Sequence, residues 1–323
     1  MRAVICREWG KPDSLTIEEI ESPVAGSGKV RILVRAAALN FADILMTGGT
    51  YQEKPIFPFS PGMEVAGDIV EIGDNVTGYA VGDRVMAVLN FGGFAEEAIA
   101  DKADLMKIPE NLDFATAAAF PIVYGTGHMG LIQKAGLKEG ESLIVHGASG
   151  GVGLAAVDIG KAVGANVIAV TSGEEKIAAV VKQGADHVID YKNGEVKDQI
   201  KALLPDGGDV YYDPVGGDSF DASLRSAAPG ARILIVGFAG GKVPQIPANI
   251  LMVKNVSAIG FYWGGHRKFA PEAVEASFAE LRGWIAGGRL KLCDVMPFDM
   301  DSVAEAMNTM KTRRSVGKIV LRM

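Results

Sequence analysis

The sequence predicts an α/β protein in which a doubly wound parallel sheet is joined to a β-rich domain of barrel-like strand pattern. Three observations carry this prediction. A short apolar run, Leu143-Ile144-Val145, leads into the turn Gly147-Ala148-Ser149-Gly150-Gly151-Val152-Gly153 and then into a helical pattern from Leu154. From Glu141 to about Ala258, strand and helix patterns alternate, as crossover connections of a parallel sheet require. Before residue 119, short apolar runs are instead divided by Gly-Asp and Gly-Ser turns.

In chain order, the β-rich domain takes residues 1–119 and is joined by 260–323, while 120–259 form the parallel-sheet domain. Its strand signals include Lys29-Val30-Arg31-Ile32-Leu33-Val34, Val65 to Ile72, and Val81-Gly82-Asp83-Arg84-Val85. Short helices are expected at 114–119 and 127–133. The sheet strands are expected at 142–146, 166–170, 187–190, 209–212, 232–236 and 256–259. Helices between them fall at 151–163, 174–183, 195–204 and 218–227. The last stretch holds helices near 271–287 and 301–312, then a strand at 317–321.

Composition narrows the function classes. At 323 residues the chain buries a sizeable core, and 48% hydrophobic against 22% charged residues is a globular balance. A net charge of −7 argues against a nucleic-acid surface. No apolar run approaches the roughly 18 residues of a membrane span, and the start resembles no signal peptide. Two cysteines, Cys6 and Cys293, form no Cys-x-x-Cys pair, which points to reduced thiols and a cytoplasmic location.

The glycine turn suggests a first chemistry. Aligned on G-x-G-x-x-G, Gly150 and Gly153 take the second and third glycines and Ala148 the first. Alone, such a cluster is equally an ordinary turn. With a strand before it and a helix after it, it reads as the entry for a dinucleotide pyrophosphate. The next strand ends at Thr171-Ser172, where an NAD site usually places an acid for the ribose 2′-hydroxyl. Two neutral residues, followed by Lys176, favour NADPH. Ser172-x-x-Glu175 reads as a capping box, which gives Glu175 a structural role. Asp213-Pro214-Val215-Gly216-Gly217 and Gly237-Phe238-Ala239-Gly240-Gly241 fall at the carboxyl ends of later strands, the edge where ligands lie in such sheets.

Taken with Ala38 to Asp43, Pro58 to Gly67, Gly184 to Tyr191 and Pro244 to Asn249, these features make the whole chain resemble the medium-chain dehydrogenase/reductase superfamily, in its zinc-free quinone oxidoreductase branch. The resemblance implies a Rossmann-type nucleotide domain and a GroES-like β domain. Zinc members of the superfamily carry a cysteine near the Asn40 position and a Gly-His-Glu motif; this chain has Asn40 and Gly62-Met63-Glu64. A thioether is a poor zinc ligand and no two histidines share a metal-ligand spacing, so no metal is expected, and Glu64 is read as a structural carboxylate.

Without a metal to lower a hydroxyl pKa, reduction of an activated acceptor is easier than alcohol oxidation. The expected activity is hydride transfer from NADPH to quinones or related α,β-unsaturated carbonyls. Rivals are reduction of enoyl thioesters or 2-alkenals, or NADPH binding with little turnover. The resemblance implies a catalytic set of Asn40, Asp43 and Tyr51, with Tyr51 a hydrogen-bond or proton donor to the developing oxyanion. Asp43 also fits a helix cap. For the cofactor it implies Thr126 and Phe238 by the nicotinamide, and Gly150, Gly151 and Val152 at the pyrophosphate. Ser172, Lys176 and Tyr191 surround the 2′-phosphate, and Arg313 the adenosine phosphate, with Arg314 and Lys318 as adjacent alternatives. It implies Phe261 to Gly265 as a substrate wall, and a homodimer through the edge strand near 256–259.

Overall fold

The computed structural model describes residues 1–323. In chain order the elements are β1 (Arg2–Ile5), β2 (Thr16–Glu19), β3 (Lys29–Ala38), α1 (Phe41–Thr47), β4 (Glu64–Ile72), β5 (Arg84–Val88), β6 (Glu97–Asp101), β7 (Leu105–Lys107), α2 (Phe114–Ala118) and α3 (Pro121–His128). There follow β8 (Ser142–His146), α4 (Gly151–Val163), β9 (Asn166–Thr171), α5 (Glu174–Gln183), β10 (His187–Asp190), α6 (Val196–Leu203), β11 (Gly208–Asp213), α7 (Asp218–Ser226) and β12 (Ala227–Ile235). The chain closes with α8 (Ala248–Lys254), β13 (Ser257–Gly260), α9 (Trp263–Phe269), α10 (Pro271–Ala286), β14 (Val295–Asp299), α11 (Val303–Lys311) and β15 (Lys318–Arg322). No helix is long and apolar enough to cross a membrane.

Two compact units result: 1–122 with 294–323, and 123–293. In the first, β3 is the hub. One edge pairs with β4; along the other, its first half pairs with β6 and its last residues with β15. Its alternating burial sets Val30, Ile32 and Val34 into a core with Val65, Val85, Leu89, Phe94 and Leu321.

The second unit holds the six-stranded sheet, all parallel, in the order β10-β9-β8-β11-β12-β13. Its central strand β8 is buried at every position, as expected of a strand covered on both faces. Helix α4 ends at Gly164 and α5 at Gly184, both in the left-handed backbone region that stops a helix.

Three expectations are corrected. Segment 260–293, assigned from sequence to the β-rich domain, packs with the second unit. His128 Nδ1 lies 2.8 Å from Ser277 Oγ, and the Asp158 carboxylate accepts the backbone N–H groups of Lys291 and Leu292 at 3.1 and 3.0 Å. Helix α3 starts at Pro121 rather than 127, because proline suits a first helical turn. The Ser172-x-x-Glu175 capping box does not form. Gly173, at φ +96°, is the N-cap of α5 and carries no side chain to cap with.

Candidate active site

In the second unit the site is the carboxyl edge of the parallel sheet. The helix α4 opens on Gly150, whose missing side chain leaves the first-turn N–H groups without a side-chain partner. A Cβ at Gly150 would meet nothing nearer than the Gly147 carbonyl oxygen at 3.5 Å, so the space over this helix end is clear of protein. Ala148 is fully buried and its N–H bonds the Val170 carbonyl at 3.2 Å, so a methyl group is accommodated where the first glycine is expected. Thr171 Oγ1 donates to Ser149 Oγ at 2.9 Å, fastening the turn to the end of β9.

The neighbouring turns are stitched to this one. Asp213 Oδ1 accepts the N–H groups of Val215 and Gly216, both at 2.9 Å, which shapes the turn after β11. Ala239 and Gly240 donate to the Pro214 and Val215 carbonyls at 3.0 and 2.8 Å, joining the turn after β12 to it. Phe238 lies on this second turn and is 42% exposed. Thr126 is buried on α3. Phe261 and Trp263 are also buried, while Tyr262 is exposed.

At the adenosine end, Ser172 is buried beside the ends of β9 and β10, Lys176 is half-buried on α5, and Tyr191 is exposed just after β10. Asp190, the last residue of β10, is held below the usual carboxylate range, chiefly by the Lys192 N–H. This edge fits a dinucleotide: glycine-capped amides for a pyrophosphate, with Ser172, Lys176 and Tyr191 beyond them.

The first unit brings Asn40 and Asp43 together at the start of α1. Asp43 is fully buried; its Oδ2 accepts the Asn40 N–H at 2.7 Å and its Oδ1 the Gly62 N–H at 3.1 Å. The first oxygen closes the helix cap that the sequence allowed for. Burial, opposed by these N–H bonds and by Lys318, pushes the Asp43 carboxyl up to about 7. Glu64, also fully buried, accepts from Lys318 Nζ at 2.7 Å, Asn40 Nδ2 at 2.9 Å and the Ile122 N–H at 2.9 Å. Lys318 also donates to Asn40 Oδ1 at 2.5 Å.

This arrangement removes Lys318 from the phosphate-binding alternatives, since its ammonium is 3% exposed and committed to Glu64. Sequence reasoning missed it because its partner is far away in the chain; the signal was a lysine heading the apolar strand Ile319-Val320-Leu321. Tyr51 is half-buried in a cluster with Cys6, Met46, Phe59 and Met63. Arg313 is exposed just beyond α11, with φ +57°.

Zinc does not fit these residues. No three His, Cys, Asp or Glu side chains are grouped to hold a metal, Met63 faces an apolar cluster, and both ends of the Asn40 amide are occupied. Cys6 and Cys293 are free and buried, and burial pushes the Cys6 thiol up, away from the thiolate a metal needs.

Comparison with known proteins adds the following. Residues 151–279 match the family described as zinc-binding dehydrogenase, and 26–110 match the alcohol dehydrogenase GroES-like domain. The chain is 43% identical to a quinone oxidoreductase-like protein 2 homolog of Nematostella vectensis, over 99% of this chain and 88% of that protein. It is 34% identical to the quinone oxidoreductase of Homo sapiens, over 99% and 97%. A mycobacterial structure solved in complex with NADPH superposes with a TM-score of 0.93 at 28% identity, covering 100% of both chains.

Proposed function

The chain belongs to the quinone oxidoreductase-like branch of the medium-chain dehydrogenase/reductase superfamily, and on that premise we propose that it is an NADPH-dependent, zinc-independent reductase of quinones or related α,β-unsaturated carbonyls. The observation that carries the cofactor is the glycine-capped start of α4, with Ser172 and Lys176 in place of an acid beyond it. When bound, NADPH supplies a hydride from nicotinamide C4 to the acceptor.

The residues of this chain would do the rest. The N–H groups of Gly151 and Val152 bind the pyrophosphate, with Gly150 leaving them bare. Lys176, Ser172 and Tyr191 take the 2′-phosphate, and Arg313 the adenosine phosphate. Thr126 and Phe238 flank the nicotinamide. In the first unit, Asp43 and Asn40 set the start of α1. Tyr51 follows from its far end, since the N–H groups of Thr50 and Tyr51 both bond the Leu45 carbonyl. Tyr51 then donates a hydrogen bond or proton to the oxyanion that hydride addition creates. Strand β13 pairs with β12 on one side only, and we assign its other edge to a homodimer.

The test is oxidation of NADPH against a panel of quinones, 2-alkenals and enoyl thioesters, with NADH as control. Quinone-dependent NADPH oxidation that falls in Tyr51→Phe is expected. Turnover with NADH alone, or tight NADPH binding without turnover on any acceptor, would overturn the reading.

A further inference from the structure

Lys318 is a buried ammonium whose bonds settle the orientation of one amide. An asparagine side chain is nearly symmetric in shape, so packing alone leaves its oxygen and nitrogen exchangeable. Here Lys318 offers only donors to Oδ1, at 2.5 Å, while the Glu64 carboxylate accepts from Nδ2, at 2.9 Å. A flipped amide would set NH₂ against ammonium and oxygen against carboxylate. The same lysine bonds Glu64 at 2.7 Å, so three buried groups close a triangle. Burying such a pair costs desolvation that apolar residues of similar volume would avoid. Asn40 is also the N-cap of α1, and the loop carrying Tyr51 hangs from the Leu45 carbonyl of that helix.

We propose that Lys318 is a positioning residue for the acceptor end of the active site, an internal cation that fixes Asn40 and, through α1, the Tyr51 loop. The inference rests on the reading of Asn40 and Tyr51 given above. The positive charge beside Asn40 is thereby supplied by the chain itself, in a family whose description names zinc.

The experiment compares Lys318→Met, which keeps length and removes charge, with Lys318→Arg, which keeps charge, and with the double variant Lys318→Met/Glu64→Leu. In the intact enzyme labelled with ¹⁵N-asparagine, the Asn40 side-chain NH₂ pair is expected to exchange slowly in wild type and in Lys318→Arg. It is expected to lose protection in Lys318→Met. With a quinone acceptor, kcat falls by about 10- to 100-fold in Lys318→Met, with KM for NADPH nearly unchanged, as a displaced reacting geometry predicts. Lys318→Arg recovers most of it. The double variant removes the unpaired buried charge but strands the Asn40 and Ile122 donors that Glu64 accepts, so it regains part of the stability of Lys318→Met and its kcat stays low. A double variant that folds with wild-type kcat makes the pair merely structural and overturns the proposal, as does unchanged Asn40 protection in Lys318→Met. If wild type turns over no acceptor, the reductase reading fails while the amide measurement still decides the role of Lys318.

Discussion

A Cβ placed on Gly153 would stand 2.3 Å from the Gly147 carbonyl oxygen and 2.7 Å from the Ala148 Cα, so α4 and its preceding turn touch backbone to backbone. Gly150, three residues earlier, has only that carbonyl at 3.5 Å. The two glycines therefore serve different ends. Gly153→Ala is expected to destabilise the fold by about 1–3 kcal/mol through overpacking, seen in urea unfolding. Gly150→Ala should unfold like wild type yet weaken NADPH by at least about tenfold, or about 1.4 kcal/mol, because its methyl group enters the space left for phosphate. Fluorescence titration of NADPH separates the two.

Glu64→Gln leaves the Lys318 ammonium buried without its counter-charge. Breaking one side of a buried pair costs about 3–5 kcal/mol, so the urea midpoint should fall steeply. Adding Lys318→Met to that variant should recover part of the loss. A midpoint unchanged in Glu64→Gln would mean the ion pair is not made in solution.

Asp43 gives stability a pH dependence of definite sign. Its carboxyl sits at about 7 in the fold, against an ordinary 3.8. Between those values the native state holds a proton that the unfolded chain has released. The group's contribution is thus complete below pH ~3.8 and lost as pH rises through ~7, at up to about 1.4 kcal/mol per pH unit. Asp43→Asn removes the titration. The stability of wild type relative to this variant should drop by about 2–3 kcal/mol from pH ~5 to pH ~8; a flat difference would refute the assignment.

Lys176→Ala should weaken NADPH by about tenfold, the loss of one charge-assisted contact, and leave NADH unchanged. Asp190→Asn should act the other way, since it removes a carboxylate from the neighbourhood of Ser172. Calorimetric titration of both cofactors reads both effects. Equal losses for NADPH and NADH in Lys176→Ala would move the 2′-phosphate elsewhere.

Much of this molecule is written in local chemistry. Branched residues at 143–145 and glycines at 164 and 184 set the ends of β8, α4 and α5 where the sequence predicts them. The capping box failed because Ser172 and Gly173 compete for one position, and only glycine accepts φ +96°. The placement of 260–293 depends on His128 meeting Ser277 and on Asp158 holding Lys291 and Leu292, contacts that no local pattern encodes. Asn40 and Asp43 were legible as a pair, because a helix cap is short-range. The lysine that bonds Asn40 was not, because charge complementarity between Glu64 and Lys318 exists only after the sheet has formed.

The strand β15, laid along β3 although far from it in the chain, has a consequence for synthesis. As the protein leaves the ribosome, Asn40 and Glu64 emerge long before Lys318. Until then the nascent chain carries a carboxylate and an amide with no cation to gather them. The first unit closes only when β15 is made, so a ribosome that stops before it leaves the buried Glu64 carboxylate unmatched.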